Sequence, residues 1–175
     1  MKTVDSFIID IGTEVFMRRK EREVTDIEQI LDIVARAKVL HLGLMDGDTP
    51  YVVPLHYAYE YAGGTFTFYM HSAAEGHKLD LIRADGHACV TLECDTSLNS
   101  GGETACKWGA AYSSVMAKGT ADFIEDPAEK ARVLRLLMLN QTGREFTVTE
   151  EMTASVRVIR FTAASLTAKA CPKKD

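Results

Sequence analysis

A chain of 175 residues with 46% hydrophobic and 26% charged side chains is long enough to bury one core without disulfide staples. Its net charge of −5 lacks the basic footprint that nucleic acids and anionic membranes select. No apolar run approaches the ~20 residues needed to cross a bilayer, and Met1 to Ile11, with Asp5 and Asp10, does not read as a signal peptide. A single cytoplasmic domain over residues 1–175 is expected.

Residues 1–16 read as an N-terminal arm. Arg18 to Glu23 alternates charges of both signs, as a solvated lead-in to a helix does. Thr25 with Glu28 predicts a capping box, and Ile27, Ile30, Leu31 and Val34 carry the helix to about Ala37. Val39 to Met45 is an apolar strand closed by the turn Asp46-Gly47-Asp48. Tyr51 to Tyr61 alternates large apolar side chains, and Gly63-Gly64 predicts a two-residue hairpin into Thr65 to His71. Pairing Ala62 with Thr65 sets Phe66, Phe68 and Met70 opposite Tyr61, Tyr59 and Tyr57, with His71 opposite His56 on the other face. A slip of one residue would scatter the aromatics.

Glu75 to Ala84 is predicted as a short helix with Leu79 and Ile82 inward. His87 to Asp95 is a strand with Ala88, Val90, Leu92 and Cys94 on one face. A polar loop, Thr96 to Glu103, leads past Trp108 to a long strand from about Ala111 to Glu125. Asp126-Pro127 opens a helix whose buried stripe is Leu134, Leu137 and Met138, ended by Gly143. Val156 to Phe161 is a last strand, and residues 165–175 read as a loose basic tail. About six strands and three helices, largely antiparallel, give an α+β chain with a closed or nearly closed barrel.

Three segments could carry chemistry. In Pro50 to His56, Pro54 has no N–H for a neighbouring strand, which frees backbone groups for a planar ligand; an edge strand avoiding aggregation has the same pattern. In Tyr69 to Lys78, a strand runs through a turn into a helix start, where unpaired N–H groups, Ser72, His77 and Lys78 suit a phosphate as well as ordinary capping. In Cys106 to Val115, Trp108 suits an aromatic wall, a subunit contact or a core position. Cys89, Cys94, Cys106 and Cys171 contain no C-x-x-C pair and read as reduced thiols, with Cys94 in the core and no metal site. His41 and His87 read as lone structural histidines, and Glu93 and Asp95 as solvated charges. The G-x-G-x-x-G, G-x-x-x-x-G-K-[ST] and G-x-S-x-G signatures do not occur.

Met17 to Glu23, Gly43-Leu44, Pro50 to Leu55 and the histidine-serine-alanine stretch ending in Gly76-His77-Lys78 together resemble the 5-nitroimidazole resistance family. That family is a branch of the pyridoxamine-phosphate-oxidase-like flavin proteins. Tyr112 to Val115, Lys118-Gly119 and Glu129-Lys130 fit the same pattern in order. The resemblance implies a six-stranded antiparallel split β-barrel of Greek-key type, and a homodimer with flavin mononucleotide at its interface; flavin adenine dinucleotide is the alternative. It further implies that Val53, Pro54, Leu55 and His56 lie along the flavin ring, with Met70, His71 and Ser72 beside it. His77 and Lys78 would hold the phosphate, and Ser114 would approach from the second copy. His77 stands where the oxidases carry Arg, which leaves Lys78 as the main cation at neutral pH. The expected activity is reduction of small electron-poor substrates such as nitro compounds, with His71 as the one candidate catalytic side chain. The competing reading is a non-enzymatic carrier of flavin or haem, with His56 or His71 as a haem ligand.

Overall fold

The structure, a computed structural model, describes residues 18–173. Its elements follow in the order β1 (Glu23–Val24), α1 (Ile27–Arg36), β2 (Val39–Asp46), β3 (Thr49–Ala62), β4 (Thr65–Ala73), α2 (His77–Ala84), β5 (His87–Asn99), β6 (Gly109–Ile124), α3 (Pro127–Thr142) and β7 (Val156–Cys171). The sheet order β1-β7-β4-β3-β2-β5-β6 closes on itself because β7 also pairs with β6, and the ladders are antiparallel. Six strands therefore make the expected split barrel. A seventh, β1, pairs Glu23 with Lys169 and Val24 with Ala168 along β7. The mixed charges before it form a single 3-10 turn, Lys20–Arg22, and this strand end, rather than a simple lead-in to α1.

Local chemistry explains most element boundaries. The N-cap of α1 is Asp26, not Thr25: its Oδ1 accepts from the N–H groups of Glu28 and Gln29 at 2.8 and 3.2 Å. Gly63 and Gly64 take φ of +57° and +82°, which glycine adopts without steric cost, and the β3–β4 register is the one the aromatic pattern predicts. In α3, Asp126 caps the N-terminus, Pro127 takes the first turn, and Gly143 at φ +69° ends the helix. Its buried residues are Lys130, Ala131, Val133 and Leu137; Leu134 and Met138 are only partly covered, so the stripe is rotated from the predicted one. Helix α2 starts at His77 rather than Glu75, with Gly76 as its N-cap.

Two strands outrun their sequence pattern. β5 passes through a bulge between Cys94 and Ser97, with Asp95 at φ +58°, and continues to Asn99, where a loop was expected from Thr96. β7 continues to Cys171, so the expected loose tail from residue 165 is instead paired strand up to that point. The N-terminal arm, residues 1–16, lies outside the described residues. Inside the barrel, Leu40, Leu42, Phe68, Met70, Val90, Leu92 and Phe161 are all fully buried. A second cluster, Ala58, Tyr69, Ile124, Val133, Leu137 and Val158, lies between α3 and the outer wall of the barrel. Cys89, Cys94, Cys106 and Cys171 are free thiols, and Cys94 packs against the main core.

Candidate functional site

The barrel is split where β3 and β4 part. Their ladder runs from Ala62/Thr65 to Tyr57/Met70. Beyond it, β3 stays with β2 through His56 to Pro50, while β4 stays with β7 through His71, Ser72 and Ala73. The backbone edges of Pro50–His56 and His71–Ala73 thus diverge around a cleft. Pro54 suits that edge because it has no N–H to leave unpaired.

The apex of the cleft is held by side chains. Tyr57 donates its hydroxyl to the carbonyls of Val34 and Ala37 at 2.6 and 3.0 Å, capping the end of α1. Gln141 of α3 donates its amide to the Tyr57 carbonyl at 2.6 Å. His56 Nδ1 lies 3.0 Å from the Lys38 carbonyl and 3.1 Å from Gln141 Oε1. Both partners are acceptors, so Nδ1 carries a proton. His71 stands beside His56; partial burial first, and then the neighbouring imidazole, pushes its pKa below the ordinary histidine value.

The other end of the cleft meets α2. Gly76 takes φ +146°, and its missing side chain leaves the first N–H groups of the helix open; a Cβ there would stand 3.9 Å from Lys78 Nζ. His77 Nε2 lies 2.7 Å from Asp46 Oδ2, and its ring meets Tyr51 edge-on at 5.3 Å. Between these ends, from His56 to Tyr51, run about 17 Å of extended strand.

The predicted residues sort by orientation. The side chains of Pro54, His56, His71 and His77 are exposed, and that of Lys78 is half-buried at the start of α2. Val53 and Leu55 pack against the core and Met70 lies wholly inside it, so these three meet a ligand only through their backbone. Ser72 is buried and donates its hydroxyl to the Ala73 carbonyl at 2.9 Å. Ser114 is on β6, opposite β3 in the six-strand ring, between Glu93 and Lys169. One chain does not bring it to the cleft. Trp108 is neither core nor cleft; it is 46% exposed and pins its own loop by donating to the Gly102 carbonyl at 2.9 Å. Asp46 and Gln141 carried no signal in the sequence beyond a turn and a helix end. Among the described residues no His, Cys, Asp and Glu side chains cluster as a metal site, and no helix is long and apolar enough to cross a membrane.

The outer wall completes the picture. Across the strands, Val52, Gly43, Cys89 and Lys118 form one row, and Pro54, His41, Thr91 and Met116 the next. Val52 is 59% and Met116 49% exposed, and a groove of about 600 Å³ lined by Met45, Pro50, Cys89 and Lys118 crosses this face. Ser114 and His56 lie on the same outer face as these rows.

Residues 26–170 match the pyridoxamine 5'-phosphate oxidase family. No curated protein matches. Among solved structures, the chain is similar to a candidate 5-nitroimidazole antibiotic resistance protein from Bacteroides thetaiotaomicron, at 28% identity and TM-score 0.71, covering 84% of this chain and 85% of that one. The flavocytochrome Anf3 from Azotobacter vinelandii matches at 22% identity and TM-score 0.72, over 91% and 74% of the two chains. An FAD and haem binding protein from Mycobacterium smegmatis matches at 15% and 0.68, over 88% and 76%. At such identities the last two show the fold alone.

Proposed function

The chain belongs to the pyridoxamine 5'-phosphate oxidase family, and on that premise we propose that it is a flavin-dependent reductase of small electron-poor molecules, nitro compounds among them. The observation that carries the reading is the unpaired edge of β3, which runs toward the N-terminus of α2 with Lys78 beside it. These residues fit a flavin. A flat ring needs exposed backbone donors and acceptors, which the Val53–His56 edge offers, and a phosphate needs a cation with free N–H groups, which Gly76 to Lys78 offer. Flavin mononucleotide is the expected form, since one phosphate matches one short helix end; the M. smegmatis protein makes flavin adenine dinucleotide the alternative.

A bound flavin would supply electron transfer between a reduced nicotinamide and the substrate. The chain's own part is positioning. The core-packed side chains of Val53 and Leu55 hold their backbone edge rigid, and Lys78 fixes the far end of the ligand. His71, neutral at pH 7 because its pKa is lowered, presents one N–H and one lone pair at the apex, and it is the side chain we assign to proton handling.

The active form in this reading is a homodimer. Helix α3 covers the outer wall at Ala58, Tyr69 and Val158, whereas no other described residue packs over the mostly apolar wall of Val52, Pro54, His41, Cys89 and Met116. A two-fold contact through that wall would carry Ser114 of one copy toward the cleft of the other, the role expected of it.

Two measurements test the proposal. The absorption spectrum of freshly purified protein should be that of a flavin; a haem spectrum would favour the carrier reading. Anaerobic mixing of flavin-loaded protein with reduced nicotinamide should bleach the flavin band, and a nitroimidazole should restore it while being consumed. Absence of both changes would remove the reductase reading.

A further inference from the structure

The α2 end of the cleft contains a carboxylate that works against an anion. Asp46, the last residue of β2, holds His77 Nε2 at 2.7 Å, and Tyr51 supports the ring edge-on. His77 is the first residue of α2, where a phosphate would dock, so one of its two best side-chain donors is already engaged. Ser72 is engaged too, through the Ala73 carbonyl. Among the described residues Lys78 enters no ion pair, and it is left as the free cation of this end, along with the first helix N–H groups.

We propose that Asp46 is a positioning residue that sets how tightly the phosphate of the flavin is held, an inference that rests on the flavin reading above. By accepting from His77, the Asp46 carboxylate competes with the phosphate for that donor, and its negative charge opposes the phosphate's own. The flavin phosphate is then held less tightly than His77 and Lys78 together would hold it.

Binding of flavin mononucleotide and of riboflavin, followed by fluorescence quenching on the full chain, tests this. Asp46→Asn should tighten flavin mononucleotide about three- to tenfold and leave riboflavin, which has no phosphate, unchanged. In a His77→Ala background most of that gain should vanish, because the donor being released is gone. Asp46→Ser provides a second variant at the same exposed position, and the circular dichroism of both should match the parent. An unchanged affinity for flavin mononucleotide, an equal gain for riboflavin, or a full gain without His77 would each overturn the inference while leaving the flavin site standing. If neither the parent nor the variants bind either flavin, the flavin reading itself falls and takes this one with it.

Discussion

Tyr57 stands where β3 parts from β4 and ties that point to the end of α1. It is fully buried, and its hydroxyl satisfies the carbonyls of Val34 and Ala37, which the end of α1 would otherwise leave unpaired. Tyr57→Phe should therefore lower stability by about 1–2 kcal/mol in urea denaturation, with little change in the core, since only an oxygen is lost. His71 gives a prediction in pH. Its pKa in the fold lies below the ordinary value near 6.5, so as pH falls through that value the unfolded chain takes up a proton before the folded one does. Stability should rise with pH across the interval just below 6.5, and His71→Gln should flatten that rise.

At the scale of elements, caps and turns carry most of the local specification. Asp126 accepts from the Glu129 N–H at 3.0 Å, and Asp126→Ala should cost about 1 kcal/mol, read as a lower Tm with an unchanged spectrum. The β3–β4 hairpin, α3 and the inward faces of β2 and β5 were legible in the sequence because glycine pairs, caps and alternating apolar residues act over a few positions. The far half of β7 was not. Thr162 to Lys169 alternates weakly, and what holds it is main-chain pairing with β6, more than 40 residues earlier in the chain. The same distinction divides the site. Pro54, His71, His77 and Lys78 could be singled out from their own segments, whereas Asp46 is 31 residues from His77 and Gln141 is 85 from His56. Pairings of that span arise only when the barrel closes. The inward turn of Val53, Leu55 and Met70 follows from the strand alternation already visible in Tyr51 to Tyr61, and it restricts these residues to backbone roles.

For the molecule as a whole, the wall that the described residues leave exposed at Val52 and Met116 is the expected contact between two copies. If two copies meet through Met116 and its neighbours, light scattering should give the mass of two chains. Met116→Glu, which changes an exposed position, should shift that mass toward one chain and reduce flavin uptake while the circular dichroism stays the same. A monomer that bound flavin as well as the parent would refute the dimeric site. β7 has a different consequence, in the order of synthesis. It is the partner of β4, β6 and β1, and it comes after all of them in the chain. While a ribosome is still translating residues 156–171, the nascent sheet has unpaired edges at β4 and β6, each able to template the wrong strand. Closure must await the release of that last segment from the exit tunnel, so newly made chains are most exposed to aggregation and to chaperone capture in that interval.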